Sequence, residues 1–183
     1  MRYLLVFALT SLVGGCAAVS YVEPVGGDVA RVRFVTTSKD FVVLRAYEGE
    51  DCAGKEQEWM RLRDGHSYGG SKKRLGMPLW TYSENAAQEV KVSTDKPLHG
   101  MFFGSGAAAN LVTACAVPFS VSFQKDRDYE ILFSDENLWR QGMCSVDVVQ
   151  IVADNNGNAH KQSLGHYVNQ VTPGCKVQFT RAR

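Results

Sequence analysis

From residue 29 onward, apolar and polar residues alternate with a period of two in one short run after another. Ala30, Val32 and Phe34 fall on one side of the first run, and Arg31 and Arg33 on the other, the signature of a half-buried strand. Residues 41–47 are almost continuously apolar and fit a strand covered on both faces. Strands over 89–93 and 98–103 flank Thr94-Asp95-Lys96-Pro97, a turn sequence. Val117, Phe119, Val121 and Phe123 alternate with Pro118, Ser120, Ser122 and Gln124, and Asp126-Arg127-Asp128 turns this run back into Tyr129, Ile131 and Phe133. Residues 144–152 alternate again, Asp154-Asn155-Asn156-Gly157-Asn158 forms a turn, a strand follows over 160–168, and residues 175–180 close the series through Val177 and Phe179.

No part of this region carries a long helical period; residues 84–89 and 107–114 fit one or two helical turns each. Two stretches interrupt the strand rhythm, 48–78 with its charged and glycine-rich sequence and 104–116 with its Gly/Ala run, and both read as long connections. One sheet of such strands would leave an apolar face in water, so two must pack face to face. The expected fold is all-β: an antiparallel two-sheet β-sandwich, Ig-like or transthyretin-like, of about eight strands with two disulfides, spanning residues 29–183.

The first sixteen residues follow a different pattern. Arg2 precedes a run of apolar and small residues from Leu4 to Val13, and Gly14-Gly15-Cys16 ends it. This is the layout of an export signal, too short for a permanent span of roughly 20 apolar residues. The small-small-Cys ending resembles the lipobox of bacterial lipoproteins. The resemblance implies removal of residues 1–15, acylation of Cys16, and a lipidated tether over 16–28. It also implies an address on the periplasmic face of the outer membrane, because Ala17 is not the Asp associated with retention at the inner membrane. Cys16-Ala17-Ala18 also suits ordinary secretion with cleavage after Ala18.

Five cysteines are present, and lipidation or removal of Cys16 leaves Cys52, Cys115, Cys144 and Cys175, an even number suited to two disulfides in an oxidising compartment. Three connectivities are open. We expect Cys52–Cys115 and Cys144–Cys175, the latter closing a loop of about 30 residues. Cys115–Cys144 is the alternative, since each precedes a predicted strand and a hairpin would bring them to one end. None of the four forms a Cys-x-x-Cys pair or has His at ligand spacing, so no metal or other cofactor is expected.

Charge narrows the field further. Twenty Lys and Arg face nineteen Asp and Glu, and Arg2 departs with the leader, so nothing points to nucleic acid. Gly104-Ser105-Gly106 lacks the Gly-Lys-Ser/Thr of a phosphate loop. Asp154, Asn156 and Asn158 have calcium-loop spacing, but the glycine is misplaced and position twelve is Gly165, so a hairpin turn is expected. His160 and His166 share a face if their strand is unbroken, about 20 Å apart. Neither of these two lies beside an expected carboxylate ligand, the other histidines are His66 and His99, and with no Gly-x-Ser-x-Gly elbow no catalytic residue is assigned. Candidate contact residues are the basic run Lys72, Lys73 and Arg74, with Tyr68 just before it and Trp139 in a polar connection. Exposed aromatics of this kind suit sugar or peptide binding.

Several pieces of the mature chain resemble small bacterial lipoproteins with a sandwich domain: Leu44-Arg45-Ala46-Tyr47 leading to Cys52-Ala53-Gly54, Val117-Pro118-Phe119-Ser120-Val121-Ser122-Phe123, Asp128-Tyr129-Glu130-Ile131-Leu132-Phe133, and Cys144-Ser145-Val146. The resemblance implies fold and address but no reaction. The expected function is a non-enzymatic, membrane-anchored module for binding or assembly with an envelope protein, the alternatives being a glycan- or small-ligand-binding lipoprotein and an envelope hydrolase.

Overall fold

A computed structural model describes residues 21–63, 74–108, 111–135 and 143–168. The leader, Cys16, the expected strand over 175–180 and Cys175 lie outside them. Nine strands follow in order: β1 Val29–Thr36, β2 Val42–Tyr47, β3 Glu56–Leu62, β4 Ala87–Ser93, β5 Leu98–Ala108, β6 Leu111–Val121, β7 Asp128–Ser134, β8 Ser145–Ala153 and β9 Ala159–Val168. They form a five-stranded sheet in the order β4-β1-β7-β8-β9 and a four-stranded sheet in the order β3-β2-β5-β6. The all-β expectation holds, with one correction to topology: β1 and β7 pair in parallel, so the first sheet is mixed.

The alternation read from the sequence supplies the core. Ala30, Val32, Phe34, Val90, Val92, Tyr129, Ile131, Phe133, Val146 and Val148 face Val42, Leu44, Met60, Leu62, Leu98, Phe102, Val117 and Phe119, all buried in one cluster. Phe102 stacks between Phe119 and Phe133, with centroids 5.6 and 5.5 Å away. Two glycines of β5 make room for these rings. A Cβ on Gly104 would stand 2.8 Å from the Phe133 ring, and one on Gly100 would enter the Phe119 ring.

Three expectations are corrected. β3 runs through the charged stretch taken as a connection. Its register against β2 slips between Leu44 and Arg45, leaving Trp59 as an extra residue and breaking the period of two. The Gly/Ala run is strand and not helical turns, since β5 and β6 continue their ladder from Gly104↔Cys115 to Ala108↔Leu111. Residues 84–89 likewise enter β4 at Ala87.

The expected disulfide pairing is also overturned, and the alternative holds. Cys115 is joined to Cys144, with Cα atoms 6.4 Å apart and a sequence separation of 29. The hairpin rationale does not hold, because Cys115 lies within β6 and Cys144 just ahead of β8, in different sheets. The bond therefore staples one sheet to the other. Cys52 is disulfide-bonded as well.

Along the opposite side, residue 21 closes the gap between the sheet edges β3 and β4. The Tyr21 N–H donates to the Trp59 carbonyl at 3.1 Å. Its hydroxyl donates to the Lys91 carbonyl at 3.0 Å, and its ring lies 4.2 Å from that of Trp59. Burial, then the nearby Glu23 carboxylate, pushes the Tyr21 phenol up to about 12.

Candidate functional site

Register, not sequence proximity, assembles the most charged site. Arg33 on β1 stands opposite Glu89 of β4 and Glu130 of β7. All three point away from the core, yet each is almost fully buried. Residues 74–82 lie over them as a strap. The Arg33 guanidinium donates to Glu89 Oε1 at 2.8 and 3.1 Å and to Glu130 Oε2 at 3.1 Å. It also donates to the carbonyls of Met77 and Pro78 at 2.9 Å and of Leu79 at 3.3 Å. Glu130 Oε1 accepts from Tyr82 Oη at 2.7 Å and Lys161 Nζ at 2.6 Å, and Glu89 Oε2 accepts from the Leu75 N–H.

Two cations meet two anions here, so the cluster is neutral with every carboxylate oxygen engaged, the condition under which buried charge is tolerated. Trp80 covers the Arg33 guanidinium at 5.2 Å, and Arg74 lies on the outside of the same ring at 3.8 Å. Leu79 holds φ 59°, a left-handed conformation a leucine rarely adopts, within the segment Arg33 grips. The Lys161 ammonium is raised above its usual value because hydrogen bonds and charge from Glu130, aided by Tyr82, outweigh the largest single influence, desolvation, which lowers it. This cluster fastens the strap to the sheet.

The accessible site lies where β6 and β9, the end strands of the two sheets among the described residues, approach one another. A cleft of about 440 Å³ is lined there by Tyr47, Glu50, His99, Phe119, Ser120, His166 and Tyr167, among others. The Tyr167 hydroxyl reaches across the seam to the Ser120 carbonyl at 2.6 Å, and its ring meets Phe119 edge-on at 6.4 Å. Ser120 Oγ and His99 Nδ1 are 3.0 Å apart, and His166 Nδ1 is 2.6 Å from Asp147 Oδ1. Tyr47 donates to Glu56 at 3.2 Å, and burial first, with the Glu56 charge second, pushes its phenol up to about 12.

Ser120, His99 and His166 thus line one cleft, with Asp147 on His166, but they form two separate pairs. A serine nucleophile needs one imidazole that takes its proton while a carboxylate holds the other ring nitrogen. Here Ser120 pairs with His99 and the carboxylate with His166, a solvent-exposed pair. Among the described residues no group of three or more His, Cys, Asp or Glu gathers as a metal site. The arrangement offers an aromatic floor with polar groups around it.

The residues singled out from sequence fall elsewhere. Arg74 is exposed and stacks on Trp80, while Lys72, Lys73, Tyr68 and Trp139 lie outside the described residues. The Asp154 turn forms, its carboxylate accepting from the N–H groups of Asn156 and Asn158, both at 2.8 Å. These bonds hold that carboxyl below its ordinary value, those from Asn158 first. His160 and His166 do not share a face. The β8–β9 register slips between Val148 and Val149, leaving Leu164 as an extra residue, so the parity changes between the histidines. His99 and Ser120 read from the sequence only as positions in two predicted strands; their union depends on the pairing of His99 with Ser120 across β5 and β6. Compared with known proteins, the chain matches no family model, no curated protein and no solved structure.

Proposed function

We propose that this chain is an exported, lipid-anchored binding module of the bacterial envelope, acylated at Cys16 and placed on the periplasmic face of the outer membrane. It engages a protein partner along β9 and the adjoining cleft, without catalysis. The observation that carries the binding reading is the state of β9: His160, Lys161, Gln162, Ser163 and Leu164 are exposed in succession, beside a cleft floored by Phe119 and Tyr167. An accessible strand next to aromatic pockets suits an extended peptide, with backbone pairing for affinity and pockets for selectivity. Cysteine arithmetic adds a second staple, Cys52–Cys175, since Cys115 and Cys144 occupy one another and Cys16 carries lipid. The sandwich is closer to Ig-like or transthyretin-like architectures than to a barrel, since the two sheets keep distinct edges.

The test is photo-crosslinking in intact cells, with a crosslinking amino acid at Leu164 or His166 and a control at the exposed Arg127. A discrete adduct at the two β9 positions, absent at the control, supports the reading. Equal yields everywhere count against it. The cleft itself favours one second reading, a glycan or small ligand stacked on Tyr47, Phe119 and Tyr167, because its volume lies in the range of small-molecule sites. Saturable quenching of tyrosine emission by an envelope glycan, lost in Tyr167→Ala, would favour that reading over a protein partner.

A further inference from the structure

The corner of the domain nearest the expected anchor exposes apolar side chains where water should favour polar ones. Val22 is 75% exposed and Val25 fully exposed, the two most exposed large apolar residues among those described. They are three residues apart on one short segment. That segment is pinned at its start by Tyr21 on Trp59 and Lys91, and held again where the Lys91 N–H donates to Glu23 at 3.3 Å. Gly26 and Gly27, at φ 87° and 78°, turn the chain away into β1 and leave Val25 standing proud. Behind them, a cleft of about 390 Å³ is lined by Tyr21, Val22, Pro24, Trp59, Lys55 and Lys96, among others.

From these features we propose that the Val22–Val25 corner is a membrane-contact surface, with the bilayer as its occupant. The proposal rests on the reading that Cys16 is acylated. Four residues separate Cys16 from the docked Tyr21, and the five residue steps between them, fully extended, span at most about 18 Å. A lipid at Cys16 therefore holds this corner within one short reach of the headgroups, with no length of tether to let the domain turn over. Val22 and Val25 enter the boundary between headgroups and acyl chains, and the exposed Lys55, Lys91 and Lys96 lie beside them for anionic headgroups. Orientation follows. β4 and β9 are opposite edges of one sheet, four strand spacings or about 19 Å apart, so the strand proposed to meet a partner lies at the edge away from the docked segment.

The experiment uses the full lipidated protein reconstituted into phosphatidylethanolamine–phosphatidylglycerol vesicles with brominated acyl chains, which quench tryptophan on contact. Val25→Trp and Leu164→Trp are compared with the wild type, and co-flotation reports attachment. The expected result is flotation of all three, with a severalfold larger loss of the added fluorescence and a blue shift for Val25→Trp but not for Leu164→Trp. Flotation with equal quenching at the two positions overturns the contact surface and leaves anchoring intact. Failure of the wild type to float overturns the anchor and the contact surface with it. A Val22→Asp/Val25→Asp variant that still floats should recover lysine accessibility to labelling at Lys96; unchanged Lys96 labelling also counts against the proposal.

Discussion

Arg33→Met removes the cation that bonds both Glu89 and Glu130 on the covered face of the sheet and leaves a side chain of comparable length. Two nearly inaccessible carboxylates lose their shared partner, and the carbonyls of Met77, Pro78 and Leu79 lose their donor. Breaking a buried ion pair from one side costs about 3–5 kcal/mol, because the remaining charge is desolvated without compensation. Lys161 remains on Glu130 and holds the loss to that range rather than above it. Measured by urea titration with an unchanged slope, the midpoint falls accordingly, and the thermal midpoint drops by roughly 10 °C for a domain of this size. The informative control replaces the whole triad, Arg33→Met with Glu89→Leu and Glu130→Met, and should recover most of the loss because no charge is left buried. Hydrogen exchange across 75–82 should still accelerate in both variants, since the strap has lost its grip. A single variant that loses less than about 1 kcal/mol, or a triple variant no better than the single, refutes the view that Arg33 compensates buried charge.

Loss of the sheet-to-sheet staple in Cys115→Ala/Cys144→Ala should cost about 3–4 kcal/mol from loop closure, read as a urea midpoint shift; an unchanged midpoint contradicts it. Gly100→Ala should cost about 1–3 kcal/mol through its clash with Phe119, and Phe119→Leu on top should recover part of it. Tyr21 and Tyr47 are both pushed up to about 12 from 10.0, so the folded state holds protons that the unfolded chain releases. The contribution of these two groups to stability should therefore be level below pH 10 and fall between about pH 10 and 12. Tyrosinate absorbance of the native protein should lag that of the denatured chain, and coincident titrations would contradict the assignment.

Strand positions were legible wherever the period of two ran unbroken, as in Val117–Phe123 and Tyr129–Phe133, because alternation follows directly from pleat geometry and burial on one face. β3 was hidden because a bulge at Trp59 shifts the alternation in the middle of a charged run. The β5–β6 extension was hidden because small residues carry no clear period. Arg33, Glu89 and Glu130 each read as outward polar residues. Only strand order and register bring them into one cluster, and no local pattern encodes that. The cleft was illegible for the same reason: His99, Ser120, His166 and Tyr167 come from three strands in two sheets. Cysteine spacing alone left the pairing open, and the hairpin argument failed because Cys115 and Cys144 lie in opposite layers.

The strap covers one flank of this domain and the docked Tyr21 bridges another, while an aromatic cleft opens along the β6–β9 seam. Anchoring through Cys16 would set the docked flank towards the bilayer and the open seam towards the periplasm, which is the arrangement a tethered binding module requires. The most direct measurement is the intact mass of the protein isolated from envelopes, with N-terminal peptide sequencing by mass spectrometry. The account expects a chain beginning at Cys16 that carries the added mass of acyl groups on its thiol and amino group, and a Cys16→Ser protein that carries none. An unmodified chain beginning at Val19, or one retaining Met1, contradicts it.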